Sequence, residues 1–291
     1  MNLSIVFSTA LLALLLAGGA SAQVVPSAHQ AGNMAVSDLK WTINNLEADA
    51  EDIATSPLHI PDLFKSDGLL RRPEFYYTLL GAGVIFGGAF ALDQTVRARV
   101  RGMSNSAAND LETAGNVFSY GVPAAVYLYG LGIEDERMRR NVITGYEAAG
   151  VASLITIGLK DAFGRARPRA SQHSHTNWFE GGQSFPSGDA TPVFALACAT
   201  SEAFDNRWYV ALPAYAGALS VGFGRMGHDA HWLSDIAGAA LLGVGTTELM
   251  LWMHRQHDLN PSRYRIFAAP APSSSGAQSM ASGGIGIEFS W

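Results

Sequence analysis

The chain has 291 residues, 48% of them hydrophobic and 15% charged, with a net charge of −6 and one cysteine. That length allows one sizeable core with tails. The acidic balance supplies no basic field for nucleic acid, and a single cysteine excludes an internal disulfide.

Residues 1–22 read as a secretory signal. An apolar run over 11–16 precedes Ala20, Ser21 and Ala22, an Ala-x-Ala cleavage pattern, although the first residues lack Lys and Arg. An uncleaved anchor is the other reading, and either one exports the rest of the chain. Residues 23–72 form a polar N-terminal arm, with an amphipathic piece from about 38 to 53. The expectation there is a surface arm with one or two short helices.

The next unit, 73–257, reads as one helical domain. Apolar periodicity predicts helices over about 75–92, 114–132, 142–160, 189–204, 207–222 and 232–254, with no sustained period-two alternation. The fold expected is all-α, a compact helical bundle of about six core helices. Frequent Gly and Ala permit close helix–helix approach. Cys198 has apolar neighbours, which points to a buried structural thiol. The tail, 258–291, begins as an Ala-, Pro-, Ser- and Gly-rich linker. Residues 284–291 alternate like a strand, which fits a small C-terminal strand or a hairpin with 264–267.

Three polar segments interrupt this apolar chain. The first holds Lys160, Arg167 and Pro168; the second is Pro186, Ser187, Gly188 and Asp189; the third holds Arg225, His231 and Asp235. Lys160, Arg167 and Arg225 are fixed cations, and the two guanidinium groups suit bidentate phosphate binding. Ser187 offers a hydroxyl and Gly188 an unobstructed backbone N–H, both at a predicted helix start, a natural anion site. His231 and Asp235 are four residues apart, on one face of a helix.

The order and spacing of these segments resemble the type-2 phosphatidic acid phosphatase and vanadium haloperoxidase superfamily over residues 75–252. Its motifs are Lys-x6-Arg-Pro, Pro-Ser-Gly-His and Ser-Arg-x5-His-x3-Asp. The first is matched in full. In the second Asp189 stands where the family has histidine, and in the third Gly224 stands where serine is usual. The resemblance implies a phosphatase acting on phosphomonoesters or diphosphates, of lipids or of small molecules. In it His231 attacks phosphorus, Asp235 accepts the other ring N–H, and Lys160, Arg167, Ser187, Gly188 and Arg225 hold the phosphate. Three cations then take the place of a metal, and no cofactor is implied. A haloperoxidase, the alternative, would use vanadate. A third alternative is a phosphate- or lipid-binding relative with weakened turnover.

The family's second-motif histidine protonates the leaving oxygen, so Asp189 opens three routes. It acts as an acid in its protonated form, or the substrate is a diphosphate that needs no proton, or the site binds phosphate and turns over poorly. An ionised Asp189 also repels substrate: two unit charges about 4 Å apart interact by roughly 4 kcal/mol at an effective dielectric of about 20. His228 lies near the nucleophile as another donor. Arg165 reads as a supporting or rim cation, and Trp178 and Phe179 as loop packing. His173 and His175 read as solvated.

Several predicted helices are short for a bilayer, which needs about 20 apolar residues, and Glu147 interrupts one. Three crossings before Lys160 would also leave an exported chain's motifs in the cytoplasm. The expectation is therefore an exported, periplasmic or membrane-associated protein. An integral multi-pass protein is the alternative.

Overall fold

The computed structural model describes residues 26–55, 73–170 and 176–259. The expected signal, His173, His175 and the expected C-terminal strand lie outside the described residues. The described ones form an all-α bundle of seven helices with no strand.

Helix α1 spans Ala28–Thr55. It is one long helix, where the sequence suggested one or two short ones. Its start is fixed by a reciprocal cap: the Gln30 N–H donates to Ser27 Oγ and the Ser27 N–H to Gln30 Oε1. The face turned to the bundle is polar. Asp38 pairs with Arg139 at 2.7 Å, Asp49 with His254 at 2.9 Å, and Asn45 meets His257. Val36, Leu39, Ile43 and Leu46 face outward instead. A helix in water has the reverse arrangement.

Helix α2 is Pro73–Val100, opened by a proline at its first position. Helices α3, Asn105–Gly132, and α4, Glu136–Phe163, start on the side chains of Ser104 and Asp135. Gly164, at φ 50°, ends α4, its N–H donating to the Lys160 carbonyl. A one-turn 3₁₀ helix, Pro168–Ala170, comes next. Helix α5, Ala190–Glu202, is the central rod and is buried along almost its whole length. Helices α6, Trp208–Gly227, and α7, Leu233–Leu259, pack around it. Their shared core holds Val193, Phe194, Ala218, Val221 and Ile236. Small residues set the spacing: a Cβ on Gly115 of α3 would stand 2.8 Å from the Gly217 carbonyl of α6.

The observed helices outrun the apolar runs that announced them. Helix α2 continues through Asp93 and Arg97 because both charges are buried and paired, with Arg165 and Asp229 respectively. Glu147 does not interrupt α4. It turns inward, 3.9 Å from His254. The expectation of helices too short for a bilayer therefore fails. Tyr76–Val100, Glu136–Ala170 and Leu233–Leu259 are each long and apolar enough to cross a membrane. Leu79, Leu80, Val84 and Ile85 of α2, and Leu154 and Ile157 of α4, are exposed. These features fit membrane association.

Alternating chain direction brings the C-terminal ends of α2, α4 and α6 together with the N-terminal ends of α3, α5 and α7. The three polar segments sit at this end, and α1 packs against the opposite one.

Candidate active site

The site is organised by Asp235, in the first turn of α7. It is wholly buried and accepts from Arg165 Nη1 at 2.5 Å, Ser184 Oγ at 2.5 Å and the Trp232 N–H at 2.8 Å. Arg165 also donates to Asp93 Oδ2 at 2.7 Å, and Asp93 accepts from the Ser234 N–H and hydroxyl. The guanidinium lies over the Trp178 ring at 4.5 Å, with Phe90 and Trp232 beyond. Arg165 is thus not a rim cation. It is a fully buried counter-ion shared by two carboxylates. Trp178 packs the loop down as expected, whereas Phe179 is exposed.

His231 is 3% exposed. Its Nδ1 lies 2.8 Å from the Ser184 carbonyl oxygen and 3.6 Å from Asp235 Oδ2. The sequence placed the ring N–H on Asp235. The structure gives it to the Ser184 carbonyl, because Asp235 Oδ2 is already taken by the Ser184 hydroxyl and the Trp232 N–H. The consequence for the ring is the same. A carbonyl can only accept, so Nδ1 carries the proton and Nε2 keeps its lone pair. Burial pushes the His231 pKa below its ordinary value. The nearby Asp235 carboxylate opposes that shift, and the charges of Lys160 and Arg225 add to it.

Two of the expected cations, Lys160 and Arg225, act electrostatically on this ring, and Arg167 acts on Arg225 and Asp235. Lys160, near the end of α4, is within electrostatic reach of Arg167, Arg225, Asp189 and Asp235. Its Nζ donates to the Gln183 carbonyl at 2.7 Å. Gly188 sits against its side chain: a Cβ there would lie 3.5 Å from Lys160 Cε. Arg167 lies just past the α4 cap and is half-buried. Ser187 is buried and caps α5, its Oγ accepting from the Ala190 N–H and its carbonyl from the Thr191 N–H. The Ser187 N–H donates to the Asp235 carbonyl, which ties the second segment to the third.

Asp189 stands just before the first residue of α5, and its side chain caps nothing. Its Oδ2 lies 2.9 Å from Arg225 Nε, an ion pair by distance without hydrogen-bond alignment. Arg225 is shared further, with Glu112 of α3 at 3.4 Å from its Nη1. His228 lies 3.8 Å from the same Glu112. Cys198 stays apart in the core, its thiol pushed up to about 12 by burial.

Sequence reasoning missed Ser184, Asp93 and Glu112. Ser184 was in view, two residues before Pro186, but a backbone carbonyl leaves no trace in a residue pattern. Asp93 and Glu112 come from helices outside the three segments, and no spacing rule reaches them.

The family model described as the PAP2 superfamily matches residues 145–258, the stretch that carries all three polar segments. No curated protein and no solved structure matches the chain. With the motif order, the all-α bundle and this match in agreement, the chain is similar to the PAP2 superfamily over residues 145–258.

Proposed function

We propose that this protein is a phosphatase that hydrolyses phosphomonoesters or diphosphates through a phosphohistidine on His231. The likeness to the PAP2 superfamily supports phosphatase-type or haloperoxidase-related chemistry in general. The observation that carries the finer reading is the His231 ring, which commits Nδ1 to a carbonyl while Lys160 and Arg225 act on it electrostatically.

Phosphoryl transfer spreads charge over three equatorial oxygens and needs mainly positioning and counter-charge. Lys160, Arg167 and Arg225 provide the counter-charge, and Ser187 and Gly188 the hydrogen bonds. His231 Nε2 attacks phosphorus, and water then releases phosphate from the ring. Asp235, neutralised by Arg165, steadies the ring as it becomes positive. In this reading no metal takes part. The exposed apolar helices support a membrane-facing bundle with the proposed site at one end, which suits a lipid phosphate as well as a soluble one. Export to the periplasmic side belongs to the same proposal.

The Asp189–Arg225 pair favours one second reading, a phosphate-binding protein of low turnover, because a carboxylate holds one of the cage cations. A panel of lipid and soluble phosphates, assayed with wild type and His231→Ala, separates the two. Hydrolysis lost in the variant supports the phosphatase. Phosphate binding without hydrolysis supports the binder. Orthovanadate inhibits the phosphatase, and activation of halide oxidation by vanadate would instead mark a haloperoxidase.

A further inference from the structure

A cavity of about 400 Å³ opens beside the cage, between α3 and the C-terminal end of α6. Asn109, Glu112, Thr113 and Asn116 line it from one face of α3, at the spacing of successive turns. Arg225 and His228 line it from the other side, and so does Ala230, the residue before the nucleophile. Arg225 belongs to both the cage and the cavity. A phosphate held by Arg225 therefore has this polar space next to it for the rest of the substrate.

The cavity also contains an imidazole. His228 Nε2 lies 3.8 Å from Glu112 Oε2, within ion-pair distance of the carboxylate but too far for a hydrogen bond. Glu112 reaches this place because α3 runs close against α6 at Gly224. A Cβ on residue 224 would lie 2.7 Å from the Ala108 carbonyl and 2.9 Å from Glu112 Cβ. The two departures from the family pattern are thus linked in space. Asp189 occupies Arg225, and Gly224 admits the helix that brings Glu112 to Arg225 and His228.

We infer that this cavity receives the leaving group of the ester, a hydroxyl-bearing alcohol, and that His228, supported by Glu112, donates the proton that the ion-paired Asp189 does not. The inference rests on the phosphatase reading of the same site. As His231 Nε2 bonds to phosphorus, the ester P–O bond breaks and its electron pair stays on the oxygen. The His228 proton passes to that oxygen, and the alcohol leaves. Neutral His228 then takes a proton from water as the water oxygen bonds to phosphorus. The P–N bond breaks, its electrons return to His231, and phosphate departs.

The test compares glycerol phosphate, whose alkoxide needs a proton, with 4-nitrophenyl phosphate, whose phenolate does not, on the full chain in detergent. His228→Ala is expected to lower kcat on glycerol phosphate by about a hundredfold or more, the usual scale for a general acid. On the nitrophenyl ester the loss is expected to be only a few-fold. Glu112→Gln shows the same pattern more weakly. Asp189→His, added to His228→Ala, is expected to restore part of the glycerol phosphate rate. Equal losses on both esters, or no restoration by histidine at 189, would overturn the inference. If His228→Ala does not fold, Glu112→Gln alone decides by the same ratio. If wild type cleaves neither ester, or His231→Ala cleaves both, the phosphatase reading itself fails, which is a separate result.

Discussion

Asp189 and Arg225 stand 2.9 Å apart, so a cation that the proposed function assigns to phosphate is already answered by a carboxylate. The Asp189 side chain is 47% exposed and that of Arg225 21%. Solvent screens such a pair, which contributes at most about 1 kcal/mol. Phosphate must displace it and then lie near the residual negative charge. Asp189→Ala is expected to tighten orthovanadate or phosphate binding by about 3- to 10-fold, from the lost competition and repulsion. Inhibition constants measured at fixed pH check this. Unchanged or weaker binding would show that Asp189 does not compete for Arg225.

The pH dependence is set by the burial of His231. In the proposed mechanism the ring attacks only when neutral, and burial lowers its pKa below the ordinary value. As pH falls the ring takes a proton, loses its lone pair, and the rate drops. Because the pKa is depressed, that drop is expected below about pH 6.5, the unperturbed histidine value. A kcat/KM profile with 4-nitrophenyl phosphate measures it. An acid limb above that value would contradict the burial argument.

Arg165 is expected to matter for stability more than any cage cation. It is fully buried between Asp93 and Asp235, and removing it leaves two buried carboxylates without their cation. Arg165→Met is expected to cost about 3–5 kcal/mol, the scale for breaking a buried pair from one side. Thermal unfolding in detergent reports it. A melting temperature equal to wild type would show that the carboxylates are satisfied in some other way.

Gly224 permits a close helix approach. Gly224→Ala places a methyl group against the α3 backbone and is expected to destabilise by about 1–3 kcal/mol through overpacking. The same change is expected to push Glu112 away from Arg225. Denaturation midpoints check the first effect, and a change in inhibitor affinity the second.

Helix α1 supplies a test with two opposite arms. Asp38 is buried against Arg139, so Asp38→Ala is expected to cost about 3–5 kcal/mol. Leu39 and Ile43 are exposed, so serine at both is expected to change stability by less than about 1 kcal/mol. The double serine variant is expected instead to bind lipid vesicles less. Stability loss from the outer face with none from the inner would invert the described orientation.

How much of the molecule was legible in its residues depends on the kind of interaction involved. Helix identity and the all-α class come from periodicity along one chain, so they were readable, as were the residues of the three segments. Helix lengths were not. Asp93, Arg97 and Glu147 look like terminators until their partners on other helices are seen. The inside-out polarity of α1 was hidden for the same reason, since Asp38 and Asp49 become inward-facing only through Arg139 and His254. At the site, the proximity of His231 to Asp235 comes from helical spacing. The carbonyl that holds the ring comes from Ser184, 47 residues earlier, through a backbone atom that has no residue code.

Nucleophilic attack by His231 is tested most directly by trapping the covalent intermediate. The full chain in detergent is mixed with a substrate labelled at phosphorus and quenched in alkali, where a phosphorus–nitrogen bond survives. Acid-labile label is expected on the peptide that carries His231, and none in His231→Ala. Turnover without any labelled enzyme, label on another residue, or continued hydrolysis by His231→Ala would contradict a phosphohistidine mechanism.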